Sequence, residues 1–170
     1  VAFAVYGSSL LLLYGASTAY HAAQSEVLKR RLRVLDHAAI FVLIAGTYTP
    51  ITLIALAGFW GWSCFVTIWT LAVVGVVSKL FFVGTRKGVT ASIYVVMGWL
   101  VVFVAKPLYA AMPLGAIVWL LAGGAAYTGG TVFYAWKRLP FNHAIWHLFV
   151  LAGSVCHFVS MWLYVLPMRR

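Results

Sequence analysis

Six apolar runs, each about 20 residues or slightly longer, follow one another along this chain with only short polar breaks between them. An α-helix of about 20 apolar residues crosses the roughly 30 Å hydrocarbon core of a bilayer, so this pattern constrains the fold more than any local motif. The runs cover about 1 to 22, 35 to 57, 59 to 83, 89 to 111, 114 to 136 and 143 to 166. They are too long for barrel strands, and lipid offers no partner to an open backbone. The expectation is an all-α, polytopic membrane helical bundle with six transmembrane helices, forming a single domain over 1–170. Composition agrees: 65% of the 170 residues are hydrophobic and 8% are charged, which excludes an ordinary soluble domain.

A net charge of +10 raises the question of nucleic acid, but the basic residues sit in the breaks and at the C-terminus. There they set topology and meet anionic lipid, so no nucleic-acid partner is expected. Lys29, Arg30, Arg31 and Arg33 fill the first break, Lys79, Arg86 and Lys87 flank the third, and Lys137 and Arg138 mark the fifth. The second break has no basic residue, the fourth has only Lys106, and Arg169 and Arg170 end the chain. Alternate breaks are basic, so the positive-inside rule puts the first, third and fifth in the cytoplasm. The chain opens on Val1, already within a hydrophobic run, so an upstream part is expected to precede it.

Several features read as packing. Gly123, Gly124, Gly129 and Gly130, and Gly7 with Ser8 and Ser9, offer small surfaces for close helix contact. Pro50 removes a backbone donor in mid-span, so a kink is expected, with Thr47 or Thr49 compensating the carbonyl of Gly46. Cys64 and Cys156 lack metal spacing and read as small buried hydrophobes.

The chain has five histidines and two carboxylates. Glu26 lies in a basic break and reads as solvated. Asp36 stands at the cytoplasmic entrance of the second run, where an ionisable group is costly without a role. The first run ends near His21 and the sixth begins near His143, so both reach the same side as Asp36. His147 follows His143 by four residues, about 6 Å deeper and about 40° round the helix, which puts both rings on one face. Ser17 lies one turn from His21 on a similar face, and Asn142 after Pro140 is a candidate N-cap for the sixth helix.

Three neutral imidazoles at one depth suit a tetrahedral Zn²⁺ with its fourth position open to water. Asp36 would hold and deprotonate that water as zinc lowers its pKa toward about 7. Packed or water-bonded histidines are the plain alternative. Haem between His21 and His143 is another, although it leaves His147 and Asp36 without a role. His157, about 15 Å deeper than His147 and turned about 80°, reads as a hydrogen-bonded core residue. His37, about 100° aside from Asp36, reads as structural or supporting.

The segments "ASTAYHA" (16–22), "LDHAAIFVLIAGTYTP" (35–50), "MGWL" (97–100) and "KRLPFNHAIWHLFVLAGSVCHF" (137–158) together resemble the hemolysin III family. That family is related to the progestin and adipoQ receptors and, more distantly, to the alkaline ceramidases. The resemblance implies seven transmembrane helices, the first missing here, in a bacterial plasma membrane. It also implies a zinc site patterned Ser-x3-His, Asp, His-x3-His, falling on Ser17, His21, Asp36, His143 and His147. The expected metal ligands are therefore His21, His143 and His147, with Asp36 and Ser17 as catalytic candidates near the cytoplasmic face. The expected function is a zinc-dependent hydrolase of a lipid amide or ester, acting through a zinc-bound water on membrane lipids. The alternative is a non-enzymatic haemolytic, pore-forming or homeostatic receptor protein with a structural zinc.

Overall fold

The computed structural model describes residues 1–81 and 87–168. The described residues form helices, with no strand among them: α1 (Ala2–Ala22), α2 (Glu26–Pro50), α3 (Gly58–Phe81), α4 (Lys87–Gly98), α5 (Ala105–Ala111), α6 (Leu114–Ala135) and α7 (Asn142–Ser160). A π segment, Ile51–Leu56, prolongs α2, and a 3₁₀ segment, Trp99–Val104, joins α4 to α5. Six helices among the described residues are long and apolar enough to cross a membrane. Large exposed apolar side chains such as Trp62, Val73, Phe103 and Leu148 suit lipid as the solvent, since water would penalise so extended an apolar surface. The expectation of an all-helical membrane protein is met. Arg86, Arg169 and Arg170, cited above for topology, lie outside the described residues.

Two compact units make up the chain. The first contains α1, α2 and α3, with α2 packed against both neighbours. The most apolar stretch of α2 is 61% buried, against 22% for α1 and 17% for α3, so α2 is the centre of this unit. Phe41, Ala45 and Tyr48 of α2 form its core with Tyr6 and Leu13 of α1 and Ile68 and Ala72 of α3. Two glycines allow this close approach. A Cβ on Gly46 would strike Ser9, and one on Gly75 would strike the ring of Phe41, whereas a Cβ on Gly7 would meet nothing within 4 Å. The small-residue surface of α1 is therefore used at Ser9 and not at Gly7.

Two local readings are corrected in this unit. The basic residues 29–33 are not a loop but the opening turns of α2, which begins at Glu26 after Ser25. Lys, Arg and Leu are good helix formers, and no Gly or Pro interrupts them, so the helix runs on past its apolar part. Thr47 and Thr49 do not cap the Gly46 carbonyl; they donate at 2.8 Å to the carbonyls of Leu43 and Ala45. The ladder accommodates Pro50 instead by widening to the π segment, where Thr52 donates to the Tyr48 carbonyl at 2.9 Å. The segment stops at Ala57 and Gly58, both at positive φ (39° and 61°).

In the second unit, α6 and α7 form the dominant pair. Gly123 and Gly130 of α6 face His157 and Trp146 of α7, and Gly153 of α7 faces the Tyr127 ring of α6, so both backbones approach closely. Hydrogen bonds fix the register: Tyr127 Oη with Ser154 Oγ at 2.8 Å, and Ser160 Oγ to the Ala116 carbonyl at 3.0 Å. Trp99 of the 3₁₀ segment donates to Thr128 Oγ1 at 2.9 Å, tying that segment to α6.

Candidate metal centre

The first turn of α7 carries His143, and the next carries His147. Their spacing of four residues places them on one face, and the Nε2 atoms are 3.1 Å apart with the rings nearly perpendicular at 86°. Two imidazole nitrogens on one tetrahedral zinc, each at about 2.0–2.1 Å, stand about 3.3 Å apart. The pair is thus set at ligand spacing before any metal is considered. His143 is exposed and His147 half-buried, so the mouth of the pair is accessible.

The local sequence holds α7 in place at this end. The last carbonyls of α6 have no partner within their own helix, a condition shared by every helix C-terminus. Asn142 Nδ2 donates to two of them, Phe133 at 3.3 Å and Tyr134 at 3.4 Å. Asn142 is therefore not the N-cap expected from sequence. Phe141 occupies that position in the left-handed region, φ 58°, and frees the Asn142 amide to clasp α6. The Tyr134 ring packs at a tilt against Trp146, 5.3 Å between centroids, and lies 6.3 Å from His143, closing one side of the pair. Sequence reading missed Tyr134 and gave Asn142 a different role because both act through the α6–α7 contact.

The other candidate residues belong to the first unit. His21 is exposed in the last turn of α1, its ring 4.7 Å from that of Tyr20. Ser17, one turn earlier, is half-buried. Asp36 sits in α2 with its side chain 14% exposed, an unusually covered position for a carboxylate. His37 Nδ1 donates to the Arg33 carbonyl at 2.7 Å and is 3.7 Å from Asp36 Oδ2. That bond turns the ring back along its own helix, in keeping with a supporting role.

His157 lies apart from the pair. Its Nε2 donates to the Leu120 carbonyl at 3.3 Å, and its ring is 5.4 Å from Tyr127, so it is the hydrogen-bonded core residue expected.

Comparison with known proteins agrees with these features. The Haemolysin-III related family matches residues 1–158. The chain is 49% identical over 169 residues to Hemolysin-3 of Bacillus cereus, covering 98% of this chain and 76% of that protein. It is 46% identical over 164 residues to a Hemolysin-3 homolog of Bacillus subtilis (strain 168), with 96% and 77% covered. A human monocyte to macrophage differentiation factor is 30% identical over 173 residues, with 95% and 69% covered.

Proposed function

Since this chain belongs to the haemolysin-III-related family, we propose that it is an integral membrane hydrolase of lipid amides or esters whose His21, His143 and His147 hold one zinc ion. The observation that carries the reading is the pair of Nε2 atoms on α7, 3.1 Å apart. A bound zinc supplies Lewis acidity, polarising a carbonyl and making water acidic near neutral pH. Asp36 accepts the proton of the attacking water on a carboxylate oxygen. It then returns that proton to the departing amine or alcohol as the acyl C–N or C–O bond breaks. Ser17 Oγ–H donates to the carbonyl oxygen as charge develops there. The surrounding spans hold the acyl chain in an apolar medium. The basic opening of α2 supports placing this chemistry at the cytoplasmic side of a bacterial plasma membrane.

The name Hemolysin-3, borne by the Bacillus cereus relative, favours a second reading in which the protein perturbs membranes and its metal is structural. Proteoliposomes separate the two. Zinc-loaded protein should release fatty acid from reconstituted lipid amides or esters, and Asp36→Asn should abolish release without changing dye leakage. Leakage with no lipid turnover in either protein would overturn the hydrolytic reading.

A further inference from the structure

Glu26–Leu56 is 31 residues long, about 45 Å at 1.5 Å per residue, against a hydrocarbon core of about 30 Å. About ten residues therefore outrun the core, and the basic opening turns of α2 are a rigid projection into the headgroup layer. Four cations, Lys29, Arg30, Arg31 and Arg33, fall on these turns, with Val27, Leu28 and Leu35 exposed among them. Cations interleaved with apolar side chains suit the boundary between headgroups and acyl chains.

The four cations do not share one direction. Relative to Asp36, helical geometry puts Lys29 about 20° and Arg33 about 60° away, whereas Arg30 and Arg31 are turned about 120° and 140°. Among the described residues no carboxylate lies within ion-pairing distance of Lys29 or Arg33. Lys79, from the end of α3, and Arg33 are both close enough to act electrostatically on His37, so α3 adds a third positive charge at this end of the unit. Asp36 is the counter-charge beside it, and Glu26 is exposed farther along the helix.

We infer that Lys29 and Arg33 form a binding site for the phosphate of an anionic phospholipid, reinforced by Lys79. The projecting helix sets the site at phosphate depth, while the exposed Val27, Leu28 and Leu35, turned about 80–180° from Asp36, seat the rest of the helix against acyl chains. The assignment depends neither on a metal nor on hydrolysis.

Native mass spectrometry of the full chain in detergent, with phosphatidylglycerol or phosphatidylcholine added, tests it. Phosphatidylglycerol should be retained in preference. Lys29→Gln with Arg33→Gln should weaken that retention about thirtyfold, from two cations near the surface. Arg30→Gln with Arg31→Gln should leave it nearly unchanged. Equal losses in both double variants would overturn the site in favour of diffuse charge, as would equal retention of both lipids. Millimolar inorganic phosphate should not displace the lipid; full displacement would overturn a lipid headgroup as the ligand. If the glutamine pair does not fold, the wild-type protein decides: retention should fall as salt rises, and salt-independent retention refutes the inference.

Discussion

Gly123→Ala offers a test of the α6–α7 packing in which two known effects oppose each other. In an isolated helix, replacing Gly by Ala gains about 1 kcal/mol. At Gly123 the added Cβ would lie 2.7 Å from His157 Cδ2 and Nε2 and 3.1 Å from the Gly153 carbonyl oxygen. The carbonyl belongs to the α7 backbone and cannot swing aside, so the imidazole must move. Moving it breaks the bond from Nε2 to the Leu120 carbonyl, worth about 0.6 kcal/mol between membrane helices. Overpacking of this kind costs about 1–3 kcal/mol. The net effect is a loss of about 1–3 kcal/mol, so crowding outweighs propensity. Gly7→Ala is the internal control, because its Cβ meets nothing within 4 Å and only the propensity gain remains. Unfolding of both variants by SDS titration in mixed micelles should separate them by about 2–4 kcal/mol. Equal stability of the two variants would refute the packing argument.

Other outcomes follow from single contacts. Trp69→Phe removes the 3.1 Å bond from Nε1 to Thr49 Oγ1 and should destabilise the first unit by about 0.6–1.7 kcal/mol in the same titration. Asp36→Asn should retain metal while lowering lipid hydrolysis about a hundredfold or more, read by fatty-acid release alongside elemental analysis. Acidification protonates the imidazole nitrogens a metal needs, so zinc content after equilibrium dialysis should fall as pH is lowered.

The spans were legible because membrane thickness dictates their length, and this constraint acts on composition alone. The His143–His147 pairing was legible for a similar reason, since an interval of four residues fixes a shared face within one helix. What depended on neighbouring helices was not. Asn142 looked like a cap for its own helix, but its amide donates instead to the Phe133 and Tyr134 carbonyls at the end of α6. Gly46 and Gly75 gave no local sign of the Ser9 and Phe41 side chains that require them to be glycine. The basic residues of α2 suggested a break because charge was read as loop, although their helix propensity is high and Ser25 precedes them. The π segment after Pro50 reflects how the ladder absorbs a missing donor, which residue type alone does not specify.

The central claim is that the α7 pair, with His21, holds zinc. Elemental analysis of the purified full chain, dialysed against zinc and then buffer, tests it most directly when set beside His147→Ala and His157→Ala. The wild-type chain and His157→Ala should each carry close to one zinc, and His147→Ala should carry almost none. Zinc content unchanged in His147→Ala, with the protein still folded, would contradict the claim.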